Sequence, residues 1–246
     1  MSEAKVFLTN DTLFDGNLVC RQYKTGYRFS LDAVLAAHFC RPGPRDRVLD
    51  LGCGCGVIAL ILAFRHLGIR AEGIEIQDEL VRLARENIAG NDMQSRVKVT
   101  SGNFRDIAGL VKPESFDLVV SNPPYRQQGR GRVNPDDQRA RARHEIDATL
   151  SDLVRAVSFG VKNRGKAVII YPAVMLIPLV TELKKNSLEP KRIQPVYSYP
   201  GQADACLVLL EAVKNGGEQV RLMPPFYIYS EKNGPYTEAM QKLYTK

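Results

Sequence analysis

Apolar and polar positions along the middle of the chain switch repeatedly between two periods. RVLDL (47–51) is a short, nearly continuous apolar run, as a strand covered on both faces requires. VIALILAFRHLG (57–68) repeats its apolar residues on a helical period and ends in glycine. AEGIEI (71–76) predicts the next strand. DELVRLARENIAG (78–90) predicts an amphipathic helix with Asp78 as N-cap and Gly90 as C-cap. RVKVT (96–100) and FDLVVS (116–121) are strands, LSDLVRAVSFGV (150–161) a helix, KAVIIY (166–171) a strand. AVMLIPLVTELKKN (173–186) is a helix that Pro178 is expected to kink. RIQPVYS (192–198) and ACLVLLEAV (205–213) close the series as a strand pair with no helix between them.

Strands alternating with helices predict an α/β fold with a doubly wound, mostly parallel sheet, and the closing pair adds a terminal antiparallel strand near its edge. In front, TLFDGNLVCRQ (12–22) predicts a hairpin turned at Asp15-Gly16, followed by a helix, LDAVLAAHFC, capped by Ser30. This divides the chain into an appended hairpin and capping helix at 1–42 and a larger domain at 43–246. Residues 126–149 have little apolar periodicity and are too long for an ordinary connection, which suggests a functional loop.

Composition narrows the classes. With 246 residues, 44% of them hydrophobic, the chain can build a sizeable core. No apolar run reaches the ~20 residues of a membrane helix, and MSEAKVFLTND lacks the uninterrupted apolar core of a signal peptide. Five scattered cysteines fit a reduced, cytoplasmic protein better than a disulfide framework. No second Cys/His pair at zinc spacing accompanies Cys53 and Cys55, so no metal is expected. A net charge of +7 favours a polyanionic partner, nucleic acid first.

The first strand of the alternating series runs into DLGCGCG (50–56). Gly52, Gly54 and Gly56 permit a tight turn and close backbone approach by a ligand, with a helix N-terminus directly after. A dinucleotide fold also carries such a loop, but there a third glycine is wanted where Val57 stands. Asp50 would repel a pyrophosphate and would favour the sulfonium and ammonium of S-adenosylmethionine. Glu75, at the end of the second strand and 19 residues beyond Gly56, is placed to accept both ribose hydroxyls. After the third strand, Asn103 is either an adenine contact, with Phe104 as apolar neighbour to the ring, or an ordinary turn residue.

The fourth strand stops at SNPPYRQQ (121–128). Pro123 and Pro124 fix φ and remove two donors, so the carbonyls of Asn122 and Pro123 can serve as acceptors. Tyr125 offers a flat face. The arrangement suits a planar molecule with an exocyclic amine: the Asn122 amide oxygen and the Pro123 carbonyl accept its two N–H bonds, and Tyr125 stacks on the ring. No strong base is needed, because two acceptors localise the nitrogen lone pair and stabilise its developing charge.

DLGCGCG, GIEI and NPPY together resemble the class I methyltransferases that act on exocyclic or amide nitrogens. GYRFSLDAVLAA (26–37), RARHEIDATLSDLVRAV (141–157) and LEPKRIQPVYS (188–198) are similar to the bacterial family of tRNA adenine-N6 methyltransferases, which modify the adenine beside the anticodon of a valine tRNA. The resemblance covers roughly residues 10 to 240. It implies S-adenosylmethionine as cofactor, S-adenosylhomocysteine as product, cofactor contacts from Asp50, Gly52, Glu75 and Asn103, and a catalytic Asn122 with Tyr125 as stacking residue. Relatives often carry aspartate where Asn103 stands; an amide can also bond adenine.

Directly after NPPY, residues 126 to 143 hold six arginines (126, 130, 132, 139, 141 and 143) against Asp136 and Asp137. Arg126, Arg130, Arg132, Arg141 and Arg143 are candidate phosphate contacts to tRNA; a solvated loop is the plainer reading. Two alternatives stay open. The same NPPY chemistry serves a glutamine amide in a protein or an adenine in DNA. A non-catalytic RNA-binding protein could also keep this fold.

Overall fold

The computed structural model describes residues 8–24, 31–123 and 148–245. Strands β1 (Leu8–Leu13) and β2 (Leu18–Tyr23) form an antiparallel hairpin in which Leu13 pairs with Leu18. Phe14, Asp15 and Gly16 take positive φ in the turn, where the sequence predicts it. Phe14 holds its left-handed backbone because its buried ring stacks on Phe64 at 4.6 Å. Helix α1 (Leu31–Phe39) follows; its expected cap, Ser30, lies outside the described residues.

The alternating series comes next: β3 (Arg47–Leu51), α2 (Val57–Arg65), β4 (Arg70–Glu75), α3 (Asp78–Gly90) and β5 (Val97–Ser101). A 3-10 turn, Phe104–Asp106, leads to the short α4 (Ile107–Leu110) and β6 (Phe116–Ser121). Beyond the undescribed stretch come α5 (Leu150–Gly160), β7 (Val161–Pro172), α6 (Leu176–Lys185), β8 (Leu188–Tyr197) and β9 (Leu207–Lys214). The tail adds β10 (Arg221–Leu222), β11 (Phe226–Tyr227) and α7 (Glu238–Gln241).

The large sheet has the order β10-β8-β9-β7-β6-β3-β4-β5, with β11 also pairing with β8. Strands β3 to β7 run parallel; β9 is antiparallel to both neighbours and lies between β7 and β8. The doubly wound sheet with one antiparallel strand is therefore as expected. The central strands alternate their side chains between two apolar layers. Val48, Leu118 and Val120 join the layer of α1, α2, α3 and the hairpin; Leu49, Phe116 and Val119 join that of α5 and α6. Helix α2 is buried from Val57 to Ala63, because α1 and the hairpin cover its outer side. The tail packs on the same layer through Met240, Tyr236 and Tyr244, and Phe14 N–H bonds the Tyr244 carbonyl. Arg192 and Glu211 form a buried two-pronged ion pair at 2.9 and 2.6 Å, and the same guanidinium holds the Phe39 carbonyl, tying α1 to the sheet.

Several local expectations are corrected. Asp78 is the first helical residue of α3 rather than its cap; Gln77 holds the cap position, and Asp78 accepts from Ser101 Oγ at 2.6 Å. Gly90 is the last helical residue and Asn91 the C-cap. Pro178 falls not in the interior of α6 but in its first turn, where its missing N–H has no intrahelical partner to lose. Strand β7 begins five residues before KAVIIY, directly after α5, and shifts register against β6 between Phe116 and Leu118.

Candidate active site at the carboxyl ends of the strands

Strand order reverses at β3: β4 and β5 lie on one side, β6 and β7 on the other. In such sheets ligands bind beyond the carboxyl ends at this switch point. Two segments meet there. Leu51, last in β3, is paired with Ser121, last in β6, and Ser121 Oγ donates to the Leu51 carbonyl at 2.8 Å. The glycine loop and Asn122-Pro123 therefore leave neighbouring strands side by side.

Gly52, Gly54 and Gly56 have φ of 72°, 56° and 84°. This left-handed region is close to free only for glycine. The Gly52 and Cys53 N–H groups both bond the Ile74 carbonyl, at 2.9 and 3.1 Å, which folds the loop back over β4. A Cβ added at Gly52 would meet nothing within 4 Å, so space is open above the backbone there. Gly56 heads α2 with Ala84 of α3 3.4 Å from where its Cβ would lie.

The two predicted carboxylates differ in kind. Glu75 is buried and bonded at both oxygens: one accepts the Gly54 N–H at 2.9 Å, the other the Gln77 N–H at 3.0 Å. It holds the glycine loop in shape, and each oxygen keeps a second lone pair. Asp50 is 0% exposed, and neither of its oxygens has a hydrogen-bond partner among the described residues. Burial pushes its carboxyl up to about 7; the nearby Ala59 N–H opposes the shift without a bond of good geometry, and the Glu75 charge adds to it. A buried carboxylate without a partner fits a cationic group such as that of S-adenosylmethionine.

Asn103 takes up the turn role. Its Oδ1 accepts from the Arg105 N–H at 3.0 Å and caps the 3-10 turn. Phe104 is partly buried against the α5 layer. Asp106 precedes α4 but makes no side-chain cap bond. Asn122 is half-buried and Pro123 buried. Tyr125 and the arginines at 126, 130, 132, 139, 141 and 143 lie outside the described residues.

Two buried polar residues bonded to these segments escape the motif reading. Ser121 is one, joining the two loop-bearing strands. Asn87 is the other: 2% exposed, it bonds the Cys55 carbonyl in the glycine loop. Its signal was legible, since it stands in the buried stripe of Leu80, Ala84 and Ile88. A polar residue inside such a stripe needs a partner.

Comparison with known proteins agrees with this geometry. Residues 31–136 match the family model described as "Methyltransferase small domain". A crystal structure titled as a predicted O-methyltransferase from Agrobacterium tumefaciens superposes with a TM-score of 0.69 at 21% identity, covering 86% of this chain and 94% of that one. The fold is that of the class I S-adenosylmethionine-dependent methyltransferases. Relatives named tRNA1(Val) (adenine(37)-N6)-methyltransferase narrow the class. The one from Porphyromonas gingivalis strain ATCC 33277 is 31% identical, covering 82% of this chain and 89% of the relative. The one from Bacteroides thetaiotaomicron is 28% identical, covering 90% and 92%. The chain belongs to this methyltransferase family, as the resemblance of its motifs implied.

Proposed function

We propose that this chain transfers a methyl group from S-adenosylmethionine to the exocyclic N6 amine of an adenine in tRNA. The observation that carries the reading is the pairing of Leu51 with Ser121, which brings a cofactor-type glycine loop beside Asn122-Pro123. Asp50, Gly52, Gly54, Gly56 and Glu75 hold the cofactor, with Asn103 and Phe104 beside its adenine and Asn122 closing the site. When bound, S-adenosylmethionine supplies an electrophilic methyl group on a sulfonium. Asp50 offers the cation a buried negative charge, and Glu75 accepts hydroxyl donors with its remaining lone pairs.

Asn122 accepts one N–H of the target amine through its amide oxygen, and Pro123 accepts the other through its carbonyl. The lone pair then leaves conjugation with the ring and faces the methyl group, and positive charge developing on nitrogen meets two fixed acceptors. As the N–C bond forms the C–S bond would break with its electron pair left on sulfur, giving S-adenosylhomocysteine, and the surplus N–H proton would pass to water. Stacking of the base on Tyr125 contributes ~1–3 kcal/mol. Arg126, Arg130, Arg132, Arg141 and Arg143 grip phosphates. Support for tRNA as the partner is the run of six arginines directly after the motif, the net charge of +7 and the names of the relatives. A tRNA substrate supports a cytoplasmic location. No described helix is long and apolar enough to cross a membrane.

The test is Asn122→Ala. Turnover with tRNA should fall by ~100- to 1,000-fold, as removal of one transition-state hydrogen-bonding group predicts, while cofactor binding by calorimetry survives. Near-normal turnover in the variant would remove Asn122 from the chemistry.

A further inference from the structure

Helix α3 and its C-cap carry two asparagines one turn apart, Asn87 and Asn91, on the side facing the hairpin. Asn91 Oδ1 accepts from the Val19 N–H at 2.9 Å, and its Nδ2 donates to the Val19 carbonyl at 2.7 Å. Asn87 Oδ1 accepts from the Arg21 N–H at 2.8 Å, and its Nδ2 donates to the Arg21 carbonyl at 3.0 Å. Val19 and Arg21 are alternate residues of β2, so their polar backbone groups face the same way. Two side-chain amides thus stand in for the strand that would otherwise pair along this edge.

Asn87 does one thing more. Its Nδ2 also donates to the Cys55 carbonyl at 3.0 Å, between the left-handed Gly54 and Gly56. One hydrogen goes to the hairpin, the other to the glycine loop. The amide orientation is determined, because a flipped oxygen would face two carbonyls. Ala84, one turn earlier on α3, lies close against Gly56, so helix, hairpin and loop converge on this amide.

We infer that Asn87 is a positioning residue for the cofactor: it fixes the Cys55 carbonyl, sets the turn at Gly54–Gly56, and makes the loop's shape depend on the docked hairpin. The inference rests on the reading that this loop binds S-adenosylmethionine. Coupling between sites is reciprocal, so cofactor binding also holds the hairpin down.

The test compares Asn87→Asp with Asn91→Asp in the full chain. Each variant turns a carboxylate oxygen onto carbonyls at the hairpin seam, and each should melt at a lower temperature. Only Asn87→Asp disturbs Cys55. Its affinity for S-adenosylmethionine in calorimetry should weaken by ~10-fold or more, with KM for the cofactor rising and kcat at saturation nearly kept, against a change under ~3-fold in Asn91→Asp. Equal weakening in both variants, or unchanged affinity in folded Asn87→Asp, overturns the inference. If Asn87→Asp does not fold, hydrogen exchange on the wild type decides: S-adenosylmethionine should slow exchange of the β2 amides, and unchanged rates overturn the coupling. A wild type that binds no S-adenosylmethionine would instead overturn the cofactor reading.

Discussion

The two ends of the parallel sheet treat charge differently. Toward the amino end, acids sit with bases. Glu72 takes Arg47 at 2.9 Å and Lys98 at 3.2 Å, Asp117 takes Lys162 at 2.5 Å, and Glu114 takes Lys214 at 2.9 Å. These pairs are partly solvated and add little each. At the carboxyl end, Asp50 is fully buried and has no partner among the described residues. Folding alone gives no reason to bury an unpaired carboxylate, which costs free energy. The contrast supports the proposed site: the amino end is neutralised by its own side chains, while at the carboxyl end Asp50 suits the cation of the proposed cofactor.

That contrast can be broken by substitution. Glu75→Ala should have the largest effect on the cofactor. It leaves the buried Gly54 N–H without its acceptor, at ~1–3 kcal/mol, removes the bond to the Gln77 N–H as well, and should weaken S-adenosylmethionine binding by ~100-fold or more in calorimetry.

Asp50→Asn should come next, with a pH signature. In the unfolded chain Asp50 titrates near 3.8, in the fold near about 7. The fold therefore favours the protonated form, and the cofactor-free protein loses stability as pH rises from about 4 through about 7. A cationic cofactor favours the ionised form, so affinity should rise over the upper part of that range. In Asp50→Asn the stability profile should flatten and cofactor affinity should drop ~10-fold on the alkaline side. Melting and titration at about pH 6 and about pH 8 would read both effects. An unchanged slope would mean that Asp50 finds a partner without the cofactor.

Asn103→Ala should lower cofactor affinity by only a few-fold, and the lost cap should cost ~1 kcal/mol in melting experiments. Asp117→Asn, at the amino end, should cost under ~1 kcal/mol and leave affinity unchanged. A loss of binding there would erase the distinction between the two ends.

Much of this architecture was legible because the central strands are apolar on both faces. RVLDL and FDLVVS became β3 and β6 residue for residue. The glycine loop was legible too, since three glycines after a strand have few other uses. What stayed hidden depends on tertiary partners. The start of β7 is polar (VKNRG), and it pairs because Phe116 and Val161 meet across the sheet. Asp78 looked like a cap, but Ser101, distant in sequence, bonds its carboxylate. The cap at Thr149 went unread although it forms a full capping box with Asp152. Glu75 was read for its ligand, while its bonds to Gly54 and Gln77 needed the loop's shape.

The most direct measurement is transfer of labelled methyl from S-adenosylmethionine to bacterial tRNA, protein and DNA fractions, followed by nucleoside analysis. The account predicts label in N6-methyladenosine from tRNA alone. Label in protein glutamine or in DNA, with tRNA unlabelled, would contradict it.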